Sequence, residues 1–291
     1  MTGGPPPPGP RREVLQGDGV AFLARGRLPA GHAVVTSLPD HSELPALGYE
    51  GWRRWFVETA ALACGAVADE AVAVFYQTDV KHDGRWVDKA YLVQQGAERA
   101  GAHLLWHKVV CRAPAGVTTF GRPAYAHLLC LSRSLRLPPG RSSPDVLPRL
   151  GEMTWPRAMG REACDAVARF LLADTACRTV VDPFCGVGTM LAVANAFGLD
   201  AVGVELSPRR AERARLLRLG PPDRLRPAGG APAPLGADHR PDQDRGQDGQ
   251  DHPPDRADAP AFSGGRAGGT GGALREGERG EERGENGPEQ R

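Results

Sequence analysis

The sequence predicts an α/β fold with a seven-stranded, mostly parallel sheet and helices on both of its faces. Short apolar runs alternate with amphipathic stretches of helical length between residues 13 and 219, a pattern typical of parallel strands joined by helices. The β-branched run at residues 179–181 stops at Pro183, which has no N–H to donate to a strand ladder. Two glycines and a helical stretch follow, so strand, tight turn and helix succeed one another as they do in such a sheet.

The seven expected strands are short apolar runs bounded by glycine, proline or polar residues. They lie at residues 13–17, 33–36, 71–76, 103–110, 123–132, 179–181 and 201–204. The expected helices carry apolar residues at helical spacing or begin at a good N-cap. They lie at residues 19–27, 49–64, 86–100, 161–172, 190–197 and 207–219. The short link between the fourth and fifth strands predicts an antiparallel pair.

The two ends of the chain differ in composition from its middle. Residues 1–11 are rich in proline and glycine, and residues 220–291 are dominated by Pro, Gly, Asp, Arg and Gln. Such segments bury too little apolar surface to offset their ordering entropy, so we expect both to be disordered and residues 12–219 to form the domain. Residues 1–219 carry a net charge of +5 and the remaining tail about −4, which permits a nucleic acid partner without requiring one.

Cysteine usage and hydropathy indicate the compartment. The six cysteines form no Cys-x-x-Cys pair, and most stand in apolar runs, so we expect reduced thiols, no disulfide framework and no metal site. No apolar run approaches the roughly 20 residues of a membrane span, and the N-terminal residues contain no signal-peptide core. A cytoplasmic protein without membrane association is therefore expected, with its oligomeric state left open.

The strongest motif is Asp182-Pro183-Phe184-Cys185-Gly186-Val187-Gly188-Thr189. Its glycines allow a sharp bend and close approach of a ligand, and Thr189 begins a helix whose free N–H groups face the turn. The next strand ends on Glu205, an acid suited to accept hydrogen bonds from both hydroxyls of a ribose. The string resembles the S-adenosylmethionine (SAM) site of class I methyltransferases, most closely that of amino-methyltransferases acting on exocyclic nitrogens of bases. The alternative is a turn for NAD or FAD, which would want a third glycine where residues 190–192 read Met-Leu-Ala.

The resemblance implies a Rossmann-like sheet with permuted strand order, because the glycine turn, normally first, comes last here. It covers about residues 13–218. The cofactor contacts that it implies are Asp18, Thr154, Pro156, Asp182, Phe184, Gly186, Gly188, Thr189 and Glu205. In this comparison Asp18 would accept a hydrogen bond from the adenine amine, and Thr154 and Pro156 would touch the SAM carboxylate. Asp18 and Thr154 are equally suited to cap a helix, and that interpretation stays open.

A second segment of the resemblance is Ser37-Leu38-Pro39-Asp40, which follows a buried strand. The amino-methyltransferases carry (D/N/S)-P-P-(Y/F/W) at this place, where the first side chain and the next carbonyl hold the target NH2. By this comparison Ser37, Leu38, Pro39 and Asp40 are the catalytic candidates, acting by positioning and charge placement. Leu38 stands in place of a proline, and Asp40 in place of the aromatic that would stack on a base. A strand-end turn without a chemical role is the alternative.

The sequence therefore predicts a SAM-dependent methyltransferase without a metal. The expected acceptor is a nitrogen of a nucleic acid base, in RNA before DNA, because the loops beside the expected site are too short for a DNA-recognition domain. A small-molecule or protein acceptor is an alternative that Asp40 favours. A catalytically inactive SAM-binding partner subunit is another, since Leu38 and Asp40 both depart from the catalytic pattern.

Overall fold

The computed structural model describes residues 9–220. The segments expected to be disordered, residues 1–11 and 220–291, lie outside the described residues except for residues 9–11 and 220. The strands are β1 (Arg12–Gln16), β2 (His32–Thr36), β3 (Ala73–Gln77), β4 (Val80–His82), β5 (Arg85–Val87), β6 (His103–Cys111), β7 (Tyr125–Ser132), β8 (Val146–Leu147), β9 (Thr179–Asp182) and β10 (Asp200–Glu205). The helices are α1 (Gly19–Leu23), α2 (Gly48–Ala66), α3 (Lys89–Arg99), α4 (Arg161–Asp174), α5 (Thr189–Ala196) and α6 (Pro208–Leu216).

Eight of these strands form one sheet in the order β1-β10-β9-β2-β3-β7-β6-β8. Among residues 9–220, β7 runs antiparallel to its neighbours β3 and β6, and the other neighbouring pairs are parallel. This confirms the mostly parallel sheet and the antiparallel pairing of β6 with β7. In the sequence, the interior strand β9 comes after β2, β3, β6 and β7. The expected permuted strand order is therefore also confirmed.

The sheet has an apolar core on each face. Helices α4, α5 and α6 cover one face, and α1, α2 and α3 cover the other. The interior strand β9 contributes to both cores. Val180 packs in the first core and Val181 in the second, and both are fully buried. A strand buried on both faces reads as a continuous apolar run, as residues 179–181 do.

The structure differs from the expectation at α3, β4, β5 and β8, and α1 ends at Leu23 where the sequence predicts residue 27. Residues 85–87 form β5, so α3 begins at Lys89 instead of residue 86. Strands β4 and β5 form a separate two-stranded hairpin whose turn is Asp83-Gly84, both with positive φ. An Asp-Gly pair with this backbone is a strong signal for a β-hairpin. The prediction of a helix from residue 86 overlooked this signal. The two-residue strand β8 is an eighth strand at the edge of the sheet, too short to be read from sequence.

Of the helices within residues 9–220, none has the length and apolar character needed to cross a bilayer.

Candidate active site

A cavity of about 540 Å³ opens where the parallel strands β1, β10, β9 and β2 end. Ligands of open α/β sheets bind at this edge, and 300–1,000 Å³ is roughly the usual size of a small-molecule pocket. The expected site residues that line it are Asp18, Ser37, Leu38, Pro39, Asp182, Phe184, Gly186, Thr189 and Glu205. Residues from four separate segments of the chain thus line the same cavity.

The glycine turn after β9 forms the floor of this cavity. Gly186 has φ 56° and lies under the indole of Trp155, whose Cζ2 atom would be 3.4 Å from an added Cβ. Gly188 has φ 82°, but it lies outside the lining, and an added Cβ would come within 2.9 Å of the Ala214 Cβ. Gly188 therefore allows α6 to pack against the start of α5, whereas Gly186 lets backbone face the cavity.

Glu205 is a buried carboxylate at the end of β10. Its Oε1 atom accepts hydrogen bonds from the Ser207 N–H at 2.7 Å and the Arg210 Nε at 2.9 Å, and Arg210 completes an ion pair with the same oxygen. All of these contacts go to one carboxylate oxygen. The side chain is consequently held in a fixed orientation at the cavity wall.

Asp182, the last residue of β9, lines the same cavity. Its Oδ1 atom accepts hydrogen bonds from the Thr36 hydroxyl at 2.7 Å and the Phe184 N–H at 3.1 Å. Complete burial, with a smaller contribution from the negative charge of Glu205, raises the pKa of Asp182 to about 7. The carboxyl therefore joins the ends of β2 and β9 and shapes the turn that follows β9.

Three further predicted cofactor residues are Asp18, Thr154 and Pro156, of which only Asp18 lines the larger cavity. Asp18 lines the cavity, and its side chain also accepts a hydrogen bond from the Val20 N–H at 2.8 Å, capping α1. Thr154 lies outside the lining, and its hydroxyl is hydrogen-bonded to that of Thr189. Pro156 lines a second, smaller cavity. Asp18 therefore caps a helix and also lines the cavity, while Thr154 lies outside the lining and contacts Thr189, which lines it.

The segment Ser37–Asp40 separates the two cavities. Ser37 and Leu38 line both, Pro39 lines the larger one, and Asp40 lines only the second, whose volume is about 60 Å³. The Pro39 carbonyl accepts a hydrogen bond from the Trp52 Nε1–H at 3.0 Å, which fixes the turn. Within residues 9–220 the Ser37 hydroxyl has no hydrogen-bond partner, so it is available to a ligand.

Asp40 is paired with Lys89, the first residue of α3. The Lys89 side chain is 3% exposed and that of Asp40 22%, so the ammonium lies behind the carboxylate. The Asp40 N–H also donates to Glu43 Oε2 at 3.0 Å. The position that the resemblance gives to a stacking aromatic therefore holds an ion pair.

Sequence reasoning missed several residues of this site. Gly19 presses against the Pro183 carbonyl, Trp155 covers Gly186, Arg210 holds Glu205, and Lys89 pairs with Asp40. A Gly17-Asp18-Gly19 string directly after a strand was a usable signal for Gly19. No local pattern indicates the other three, because their partners are distant in sequence or belong to another element.

One group of possible metal ligands lies apart from both cavities, although no metal was expected. Ligand atoms of Asp79, Asp88 and His127 lie within 4.8 Å of one another. The Asp79 carboxylate already accepts hydrogen bonds from His127 Nε2 at 3.0 Å and the Lys89 N–H at 2.9 Å. Burial alone would raise the pKa of Asp79, but these hydrogen bonds hold it below its ordinary value.

No family model matches the chain, and no curated protein sequence matches it. Several solved structures do match the chain. A candidate DNA modification methylase from Thermus thermophilus, crystallised with S-adenosyl-L-methionine, is 22% identical with a TM-score of 0.53, covering 70% of this chain and 91% of its own. The cytosine-N4-specific PvuII DNA methyltransferase is 14% identical with a TM-score of 0.58, covering 72% and 87%. The chain therefore shares the fold of these methyltransferases.

Proposed function

We propose that this protein is a SAM-dependent methyltransferase that acts on an amino nitrogen of a nucleic acid base. The observation that carries the proposal is the single cavity in which the glycine turn, Glu205, Asp18 and Ser37 face the same space. The shared fold with methyltransferases, one of them crystallised with SAM, supports the same conclusion.

The residues present fit an adenosyl sulfonium. Glu205 offers its second carboxylate oxygen to the ribose hydroxyls, since its side-chain partners within residues 9–220 all bind Oε1. Asp18 follows β1, which pairs with β10, and lines the same cavity, so we assign it to the adenine amine. Gly186 and the Trp155 indole that covers it line the same cavity, and we assign the methionine part to this side.

The acceptor side is the segment Ser37–Asp40. When bound, SAM supplies an electrophilic methyl group for direct transfer to the acceptor nitrogen. The Ser37 hydroxyl and the Leu38 carbonyl accept hydrogen bonds from the acceptor NH2, which draws its lone pair out of conjugation and orients it. The hydrogen bond from Trp52 to Pro39 keeps this turn rigid. The bond that would form joins the nitrogen to the methyl carbon, and the bond that would break joins that carbon to sulfur, which leaves as a neutral thioether. The nitrogen would lose one proton to solvent.

The polymer that carries the base is less constrained by the site. The two similar proteins are a candidate DNA modification methylase and a DNA methyltransferase, which favours DNA and does not support the expectation of RNA before DNA. We therefore propose nucleic acid as the acceptor class and leave the choice of polymer to the labelling experiment below.

Calorimetric titration with SAM tests the cofactor assignment. Glu205→Gln removes the charge while keeping the shape, and we expect the Kd for SAM to rise about 10- to 100-fold, since a hydrogen bond to a charged group contributes roughly 1.5–3 kcal/mol. Glu212→Gln is the matched control, because Glu212 is an exposed acid on α6 paired with Arg215. Equal affinity of the Glu205 variant and the parent would refute the ribose assignment.

Transfer of labelled methyl groups to RNA, DNA and protein fractions tests the acceptor class. We expect label in a nucleic acid fraction. Tight SAM binding with no transfer to any fraction would favour a non-catalytic SAM-binding subunit or a small acceptor, which is the outcome that the Asp40–Lys89 pair would then explain.

A further inference from the structure

We infer that the second cavity binds a phosphate group of the acceptor nucleic acid. This inference rests on the proposed function and names a subsite for it beside the segment Ser37–Asp40. The cavity adjoins the larger one through Ser37 and Leu38, which line both. Its volume of about 60 Å³ is far below the roughly 300–1,000 Å³ that is usual for a small-molecule pocket, so it suits one small group and not a whole base.

The two acids that line this cavity are both paired with cations of the same lining. Asp40 pairs with Lys89, and the Glu43 Oε1 atom lies 2.9 Å from the Arg157 Nη1 atom. Neither carboxylate therefore presents an uncompensated negative charge to a ligand that enters.

Two further arginines, Arg112 and Arg122, complete the charged lining of the cavity. Four cationic side chains thus face two carboxylates. An excess of positive charge in a confined space raises the local concentration of anions and favours a negatively charged ligand.

Both arginines come from the loop that joins β6 to β7. The Arg112 N–H donates to the Ala124 carbonyl at 2.7 Å, which extends the pairing of the two strands. The Arg122 N–H donates to the Phe120 carbonyl at 3.2 Å, and the Arg122 carbonyl accepts from the Thr119 hydroxyl at 2.8 Å. These bonds fix the backbone of the loop. Within residues 9–220 the guanidinium of Arg122 has no hydrogen-bond or ion-pair partner, so it is available to a ligand.

The uncharged polar groups of the lining suit the same ligand. Ser37, Tyr76 and Thr78 contribute hydroxyl groups. Burial raises the pKa of Tyr76 to about 12, and the positive charge of Arg112 acts in the opposite direction, so the phenol stays protonated at neutral pH and is able to donate. The free oxygens of a phosphate group accept hydrogen bonds, and the planar guanidinium matches them with parallel N–H donors.

The position of the cavity decides which phosphate it takes. In the proposed mechanism Ser37 and the Leu38 carbonyl hold the acceptor NH2, and both residues border the second cavity. A phosphate held there consequently belongs to the strand that carries the acceptor base. Such a contact positions the strand without reading its sequence, and a free nucleoside cannot make it.

The salt dependence of nucleic acid binding tests the phosphate contact. Fluorescein-labelled random-sequence RNA, single-stranded DNA and duplex DNA are titrated with the parent and with Arg122→Gln at several salt concentrations, in the presence of S-adenosylhomocysteine to prevent turnover. For the polymer that binds best, we expect the variant to raise the Kd about 10-fold. We also expect the slope of log K against log salt concentration to become shallower by roughly 0.7–0.9, the value for one phosphate contact. An unchanged Kd, or a weaker Kd with an unchanged slope, would overturn the inference.

Arg99→Gln is the matched control for this measurement. Arg99 is also an exposed arginine, but it is the last residue of α3 and lines neither cavity. Its variant should keep the Kd and the slope of the parent. Changes as large as those of Arg122→Gln would show that the net charge of the protein is responsible, which would also overturn the inference.

Methyl-transfer kinetics separate this inference from the proposed function. We expect Arg122→Gln to raise the KM for the nucleic acid about 10-fold and to leave kcat and the Kd for SAM close to those of the parent, because Arg122 lines only the second cavity. An unchanged KM would overturn the inference and leave the proposed function standing. A parent enzyme that transfers no methyl group to any nucleic acid would overturn both.

Discussion

Of the three glycines that line the larger cavity, Gly19 has the least room for an added methyl group. It is the first residue of α1, and an added Cβ would lie 2.0 Å from the Pro183 carbonyl oxygen and 3.0 Å from the Phe184 ring. Contacts under 3.0 Å essentially never occur for real Cβ atoms, so either the turn after β9 or α1 must move by about 1 Å. The atom in the way is backbone, which cannot rotate aside as a side chain can.

The cost of Gly19→Ala follows from two opposed effects. Alanine favours a helix over glycine by about 1 kcal/mol. Overpacking costs roughly 1–3 kcal/mol, and we take the upper end or beyond because the neighbour is backbone. The net loss is therefore roughly 2 kcal/mol, which corresponds to a fall in Tm of about 4–8 °C for a domain of this size.

Thermal and urea unfolding of Gly19→Ala and Gly17→Ala measure this effect. Gly17 is the matched control, because an added Cβ there has no atom within 4 Å and its φ is not positive. We expect Gly17→Ala to lie within about 0.5 kcal/mol of the parent. Since Pro183 and Phe184 line the larger cavity, Gly19→Ala should also weaken SAM binding. Equal stability of the two variants would refute the steric reasoning.

Two further predictions concern the pH dependence of stability and the limits of the domain. The folded protein favours the neutral form of Asp182, whose pKa is raised from 3.8 to about 7, so this group stabilises the fold at low pH and the contribution is lost as pH rises from about 4 to 7. Asp182→Asn should therefore match the parent near pH 4 and exceed its stability by up to about 4 kcal/mol above about pH 7 in urea unfolding, and a difference independent of pH would contradict this. Removal of residues 221–291 should leave Tm and SAM affinity unchanged if residues 12–219 form the domain, and a large loss of either would show that the tail contributes.

The strand pattern and the glycine turn were readable from sequence because each depends on local rules. A strand buried on both faces requires an apolar run, as at residues 179–181, and a tight turn at positive φ requires glycine, as at Gly186. The acid that ends β10 was found in the same way, from its place after a strand. The permuted order followed from where these local signals stand along the chain.

The tertiary structure alone decided which side chains meet at the site. Lys89 reaches Asp40 across 49 positions of sequence, and Trp155 covers Gly186 from a loop that carries no regular pattern. Gly188, predicted as a cofactor contact, gives room to Ala214 of α6. Such contacts depend on how helices and loops pack on the sheet. Hydrophobic periodicity and turn chemistry do not predict this packing, because they constrain the backbone only over a few neighbouring residues.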